Sequence, residues 1–352
     1  MERPHPREFA CPFSDCPSNA GQDRRQHVVR HSRLRTRRGV RSRLFCRRCR
    51  RTFLPSHGTP YHRMQRPRRA FDAAILHLCE GASLAAVARC LGVATSTVSR
   101  WIERAARHAR AWEEEHLVVK NPVELQLDEL HSYGAAREVR SWVYNALEVW
   151  TRLWLASRVG TRTLRNTLLF SRVVRSRCRS VAAPILVITD EFKYYLQCLH
   201  RTFGPACVYV QVHNRYAHGR IVRSHAKLKL GNAWTLERAR ERSEDSKRPN
   251  TAYIERLNLH IRRSCAYLHR RTPSPMRKPQ RLADALDINR LHYNFVRRHG
   301  SLRFGRECRT PAMQAGITSR PLTLREIFSW VPPLRPYAPP VNWSPTPVQD
   351  DR

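Results

Sequence analysis

The run Pro184–Glu191, PILVITDE, constrains the fold of this chain more than any other stretch. Ile185, Leu186, Val187 and Ile188 run unbroken behind a proline into Thr189 and a carboxylate, Asp190. A short apolar run without alternation is the pattern of a strand covered on both faces, which only the middle of a sheet provides. Such a sheet needs helices on its faces, and α/β proteins place their sites where central strands leave the core. Asp190 is therefore predicted to stand at a sheet edge where chemistry is done.

The flanking sequence supplies the rest of an α/β domain. Val123, Leu125 and Leu127 alternate with Glu124, Gln126 and Asp128, which reads as a half-buried strand ending in a carboxylate. Trp142–Val149 and Leu153–Val159 read as a hairpin turning at Thr151, followed by a helix over Thr161–Arg177 opened by threonines. After the Asp190 strand come a helix (Phe192–Phe203) and a strand (Cys207–Val212), so the sheet is mixed, with helices on its faces. Residues 214–249 are polar and basic and longer than an ordinary loop, which predicts a basic insert. Thr251–His269 is helical, with the apolar stripe Ile254, Leu257, Ile261, Cys265 and Leu268. Glu255, Asn258 and Arg262 share its neighbouring face at spacings of three and four. A last helix near Arg281–Arg298 would turn Arg297, Arg298 and His299 toward nucleic acid, and the tail from Arg320 is increasingly proline-rich.

Charge narrows the partners. Of 352 residues, 65 are Lys or Arg against 28 Asp or Glu, a net charge of +37, and 59 of the 65 are arginine. Self-repulsion on that scale opposes folding unless a polyanion is the partner, and the planar guanidinium fork suits phosphates and guanine edges. DNA is the expected partner. MERPHPREFA is charged and lacks the apolar centre of a secretory signal, and no run approaches the roughly 20 apolar residues of a membrane helix. A soluble, cytoplasmic protein with no membrane partner is expected.

Two N-terminal clusters fit that partner. Cys11 and Cys16 (CPFSDC) and Cys46 and Cys49 (FCRRC) are two close thiol pairs, Phe45 and Phe53 flanking the second, as a tetrahedral structural Zn2+ requires. The first pair is looser, and His27 and His31 are alternative ligands. The arginine-dense stretch between the pairs would form a basic hairpin against phosphates. Cys79, Cys90, Cys178, Cys198, Cys207, Cys265 and Cys308 read as core packing, and the odd total of 11 argues against a disulfide framework. Ala70–Cys79, Leu84–Leu91 and Thr95–Arg110 are three helices, with small Ala88 and Gly92 at the contact and turn of a helix-turn-helix. Leu84, Val87, Leu91, Val93 and Trp101 fill its buried positions. Thr95, Ser96, Thr97 and Arg100 would face a major groove, and Thr95 would cap the helix because Ala94 cannot. AWEEEH (111–116) reads as an acidic linker.

Asp128, Asp190 and Glu255 then stand out in an acid-poor chain. Taken singly they have ordinary readings as a turn acid, a helix N-cap and a first-turn acid. Taken together they form a set of oxygen ligands for magnesium (or manganese), as two-ion phosphoryl transfer requires. Glu129 and Glu191 adjoin two of them but point elsewhere.

NTAYIERLNLHIRR, followed by YNFVRRHGSL and RTPAMQAGI, resembles the C-terminal half of bacterial insertion-sequence transposases of the Asp-Asp-Glu class. The insertion-sequence-one-like type, with a zinc ribbon and helix-turn-helix in front, fits best over about residues 10–330. The resemblance implies a ribonuclease-H-like (integrase-like) catalytic domain with Asp128, Asp190 and Glu255 as its metal triad. It also implies cleavage at the element's terminal inverted repeats, joining of the freed 3′-hydroxyl to target DNA, and action as a homodimer or higher oligomer. Arg262 is expected to contact DNA. The expected organisation is multidomain: a zinc-ribbon-like segment (1–60), a helix-turn-helix (61–116), the catalytic domain (120–300, with the insert at 214–249) and a C-terminal tail (301–352), proline-rich from about 330. The competing reading is a non-catalytic zinc-ribbon and helix-turn-helix regulator, or an inactive copy.

Overall fold

The computed structural model describes residues 9, 11–13, 15–17, 27–36, 39–133, 140–179, 183–217, 220–243, 248–270, 272 and 274–332. These fall into two compact units, one of residues up to Arg68 together with those from Phe328 onward, the other Arg69–Ile327. Among the described residues, no helix is long and apolar enough to cross a membrane.

The first unit is a small antiparallel sheet of β1 (Val28–Thr36), β2 (Gly39–Cys46) and β3 (Thr52–Phe53). Val28, Leu44 and Phe53 pack against Cys11, Cys16 and Cys46. So few apolar side chains make a marginal core. Arg33, Arg35, Arg41 and Arg43 lie exposed on the hairpin, as the basic stretch predicts.

The second unit opens with α1 (Arg68–Cys79), α2 (Leu84–Cys90) and α3 (Thr95–His116). Ser83 caps α2 by accepting from the Ala86 amide at 3.2 Å, and Gly92 turns the chain at φ +59°. Val87, Ala88 and Trp101 are buried as expected, as is Val98, whereas Leu84, Leu91 and Val93 are only half-buried. Ala94 is the N-cap of α3 and contributes no side-chain bond; Thr95 is already helical, so the expected Thr95 cap is not made. AWEEEH is not a linker. The stripe Val98, Trp101, Ile102, Ala105, Ala109 and Trp112 keeps helical period, and α3 runs through it to His116.

After the short β4 (Val119–Lys120), the domain's sheet is built from β5 (Glu124–Tyr133), β6 (Arg140–Glu148) and β7 (Leu153–Gly160). Then come α4 (Leu164–Ser176), capped by Thr163, and the two-residue β8 (Cys178–Arg179), which pairs with β4. They are followed by β9 (Ile185–Thr189), α5 (Tyr195–Phe203), β10 (Cys207–Ala217) and β11 (Arg220–Leu230). The six strands lie in the order β11-β10-β9-β5-β6-β7. β9 is parallel to β5 and β10, and the remaining pairs are antiparallel. Every residue of β9 is buried, as an unbroken apolar run requires.

Two expectations for the sheet change. The strand of Asp128 does not end there: β5 pairs with β6 as far as Tyr133, although its parallel partner β9 stops at Thr189. Its polar alternate positions are also covered, Glu124 at 1 % and Gln126 at 0 % exposure. The expected basic insert is structured where it is described; residues 218–219 and 244–247 lie outside the described residues. It is the end of β10, then β11, then α6 (Ala233–Arg242), whose Leu236 and Ala239 pack on Leu186, Ile188, Val208 and Val210.

α7 (Ala252–Ser264) and α8 (Pro279–Leu291) cover the face of β5, β6 and β7 that carries Leu130, Val143 and Trp154. α4 and α5 cover the opposite face, where Tyr144 meets Phe170. The last long helix is shorter than Arg281–Arg298, because a π-helical turn (His292–Val296) follows α8. There Asn294 accepts from the Trp154 amide at 3.0 Å and donates to its carbonyl at 2.9 Å, occupying the edge of β7. The segment after 301 is folded as far as described: β12 (Arg303–Phe304), β13 (Glu307–Cys308), α9 (Pro311–Gln314) and α10 (Leu324–Ser329), anchored by buried Leu302, Ala312 and Ile327. The proline-rich stretch after Pro332 lies outside the described residues. Five of the seven cysteines expected in the core are buried; Cys90 is exposed and Cys308 half-buried.

Candidate functional site

The parallel register of β5 on β9 builds the acidic site. Leu127 pairs with Thr189 on strands about 4.8 Å apart, so Asp128 and Asp190 are the residues that follow this last parallel pair. Asp190 Oδ1 accepts from the Phe192 amide at 3.2 Å, a local turn that fixes the carboxylate as the chain leaves β9.

Glu255 arrives from α7, and β5 itself docks that helix. Thr251, the N-cap of α7, makes no capping bond. The Tyr253 and Ile254 amides donate instead to Gln126 Oε1, at 3.1 and 3.0 Å. About one turn on, Asn258 Nδ2 donates to Asp128 Oδ2 at 2.7 Å, while Asn145 Nδ2 donates to Asn258 Oδ1 at 2.9 Å. A helix held at residues 253, 254 and 258 has no freedom to place residue 255 elsewhere. Glu255 is exposed on the first turn, and Thr251 donates to its Oε1 at 2.7 Å. Gln126, Asn145 and Asn258 are positioning residues that sequence reading did not assign. The signal for Asn258 was present, since it lies three residues after Glu255 on one helix face.

Electrostatics tie the acids together. Burial, then the charges of Asp190 and Glu255, push the Asp128 carboxyl up to about 7. Burial also raises Asp190. Glu129 faces the opposite side of the sheet, as expected of an alternate strand position, yet it is not remote. Burial and the Asp190 charge push it up to about 8 while Arg162 Nη2 donates to its Oε2 at 2.8 Å. The Arg162 guanidinium lies between the Trp142 and Phe192 rings, 4.5 and 4.2 Å from their centroids. Repulsion among carboxylates that a cation would relieve is the donor chemistry a hard divalent ion takes. The three carboxylates stand farther apart than the cysteine thiols described below, which among the described residues form the group whose donor atoms all lie within 4.8 Å.

Burial, together with that repulsion, has a pH signature. Asp128 and Glu129 bind protons more tightly folded than unfolded, so between about pH 4 and pH 7–8 the folded chain holds the extra protons. Stability of the metal-free protein is therefore expected to fall as pH rises through this window, on the order of 4 kcal/mol for Asp128 alone. Urea midpoints followed by tryptophan fluorescence in magnesium-free buffer should drop from pH 5 to pH 8, and millimolar magnesium should recover part of the drop at pH 8. A flat profile would mean that neither carboxyl is raised in the folded chain.

The cysteines form a second centre. Cys11 and Cys49 sulfurs are 3.7 Å apart, as are those of Cys16 and Cys46, and all four lie within 4.8 Å of one another. Four sulfurs about 2.3 Å from a tetrahedral zinc are about 3.8 Å apart, so the set could hold that ion. The alternative histidines are engaged elsewhere: His27 Nε2 accepts from Arg48 Nε at 3.4 Å, and His31 bonds Ser32 at 3.0 Å. With so small a core, Cys46→Ser is expected to lose one zinc per chain by elemental analysis and to open the β1–β2 hairpin to proteolysis. Wild-type resistance in that variant would make the thiols ordinary packing.

In the helix-turn-helix, Ser96 and Arg100 are exposed and Thr97 is half-exposed. Thr95 is exposed but also lines an apolar cavity of about 480 Å3 with Leu84, Ile102, Tyr267 and Ile288. Arg262 is half-buried and donates to the Leu268 carbonyl at 3.5 Å, so its side chain is engaged within the protein. Of the residues expected to face nucleic acid near the end of α8, Arg297 reaches Glu80 at 3.4 Å, and His299 bonds the Tyr293 carbonyl at 3.0 Å as a packing residue. Arg298 is exposed and donates to the Cys308 carbonyl at 2.9 Å.

Residues 69–106 match the family model described as the helix-turn-helix domain of transposase family ISL3. The match spans α1, α2 and the first half of α3 and supports a DNA-binding transposase. No curated protein matches the chain.

Proposed function

We propose that the chain is a DNA transposase of the Asp-Asp-Glu class that cuts at the ends of its own element and joins them to target DNA. One observation carries the reading: parallel register pairs Leu127 with Thr189, the residues just before Asp128 and Asp190, and Gln126 and Asn258 dock the helix that carries Glu255 onto the same strand. The strand order supports it. An antiparallel trio, β7-β6-β5, continued by parallel β9 and β10, is the arrangement a ribonuclease-H-like sheet would have. The ISL3 match to the DNA-reading helices and the net charge of +37 support the substrate.

In this reading Asp128, Asp190 and Glu255 hold magnesium (or manganese), expected as two ions. When bound, that metal supplies a lowered pKa for the attacking hydroxyl and charge neutralisation for the departing oxygen. Water attacks the phosphodiester at the element's end, the P–O bond to the 3′ oxygen breaks, and a 3′-hydroxyl is released. That hydroxyl then attacks a target phosphate and displaces a second 3′ oxygen. Asn258 fixes Asp128, and the local turn fixes Asp190, so the metal pocket is preorganised on rigid strands while Glu255 closes from the helix. The cysteine ribbon and the helix-turn-helix hold the inverted repeat, and a homodimer would bring two ends together.

The test uses DNA flanking the gene, which carries the candidate repeats. Magnesium should produce nicks with free 3′-hydroxyls at the repeat ends, and calcium should not. Tight end-binding with no magnesium-dependent nick would favour the non-catalytic regulator, for which the helix-turn-helix match alone suffices. Exposed Arg100, one turn into α3, is expected to read a base edge. Arg100→Ala should cost about 1–3 kcal/mol of discrimination between end and scrambled duplexes in competition binding. Equal losses on both would make it a phosphate contact.

A further inference from the structure

Helix α7 does more than present Glu255. Its outer face carries Arg256, Leu259 and Arg263, all exposed at spacings of three and four, with Leu259 at 56 %. Arg270 continues the stripe beyond the helix end. Leu259, Arg262, Arg263, His269 and Arg270 line a shallow groove of about 430 Å3. None of Arg256, Arg263 and Arg270 has an acidic partner among the described residues. Three unneutralised guanidinium groups on one face are costly unless something anionic lies on them.

The two ends of the stripe are informative. One end is Glu255 itself. The other abuts the helix-turn-helix: Gly81, in the turn between α1 and α2, approaches so closely that a β-carbon there would stand 2.4 Å from the Arg263 carbonyl. His269 donates to the same carbonyl at 3.0 Å, and Gly81 sits at φ +88°, where other residues are strained. The DNA-reading module is thus seated on the far end of the acid-bearing helix. Glu255 to Arg263 spans about 12 Å of helix, or roughly three to four base-pair steps.

We propose that Arg256, Arg263 and Arg270 form a phosphate track for duplex DNA, carrying the backbone between the helix-turn-helix and the carboxylates. The position of the scissile bond at its far end rests on the transposase reading; the contact with DNA does not. Arg262, whose side chain turns inward to the Leu268 carbonyl, shapes the groove wall.

The experiment measures binding of the full chain to a random-sequence duplex of about three helical turns between 50 and 200 mM salt. Each phosphate contact contributes about 0.9 to the slope of log K against log salt. R256A/R263A/R270A should make the slope shallower by about 2 to 3, with the lysine triple close to wild type because it keeps the charge. The control R165A/R172A/R201A removes three exposed arginines from α4 and α5 on the opposite sheet face and should change the slope by less than about 1. Should the alanine triple fold poorly, Arg256→Gln alone should still remove about 0.9. An unchanged slope, or equal changes in both triples, overturns the track. Magnesium-dependent nicking by wild type is read separately. Nicking with an unchanged slope sinks the track and leaves the transposase; a shallower slope without nicking does the reverse.

Discussion

Asp190→Asn is expected to lower strand cleavage at least about 10³-fold while leaving end-binding within a factor of about two. The amide keeps the shape of the carboxylate and can still accept from the Phe192 amide, so the turn after β9 survives. What it loses is the charge that a divalent ion needs beside Asp128. The same change should stabilise the metal-free protein at pH 8, because the Asp190 charge is one cause of the raised Asp128 and Glu129 carboxyls. Activity and stability should thus move in opposite directions, which simple misfolding does not produce. Glu191→Gln is the matched control. Glu191 is exposed one residue away and its Oε1 lies 2.7 Å from His213 Nδ1, so its loss should leave cleavage nearly intact. Full nicking by the Asp190 variant, or equal damage from both, would remove the metal role.

Glu113→Gln is expected to cost about 3–5 kcal/mol of stability. Glu113 is fully buried near the end of α3, where both its oxygens accept from Arg290 Nε, at 2.9 and 3.0 Å. Arg177 Nη2 reaches Oε2 at 3.3 Å. Arg290 also donates to Asp287 at 2.8 Å and to Ser157, and Arg110 links Asp284 and Asp287 at 3.0 and 2.6 Å. One carboxylate from the DNA-reading helix therefore offsets the charge of guanidinium groups from α8 and from the end of α4. Neutralising it leaves Arg290 with Asp287 as its carboxylate partner and removes the carboxylate that Arg177 reaches, so the desolvation of two buried cations is offset only in part. The urea midpoint measures the loss. A change under about 1 kcal/mol would mean that water reaches the cluster. Because α3 is one continuous helix, the helix-turn-helix and the packing of β7 should weaken together in this variant.

Local chemistry made much of this legible. PILVITDE announced a buried central strand, because four apolar residues in a row can be covered only on both faces. The paired cysteines announced their cluster, and Ala88 and Gly92 announced the turn between two DNA-reading helices. The basic residues of 214–249 misled, because a charged edge strand and a solvent-facing helix resemble a loop in composition. AWEEEH misled for a related reason: three glutamates look solvated until arginines distant in sequence are known to surround one of them.

The sequence by itself determined which residues could be strand, helix, thiol ligand or acid, since each follows from neighbours a few positions away. Only the tertiary structure decided how the acid-bearing elements are arranged. Register pairs Leu127 with Thr189, the residues before Asp128 and Asp190, and Gln126 and Asn258 anchor the helix that carries Glu255. Register and docking are contacts between residues far apart along the chain, and no local pattern encodes them.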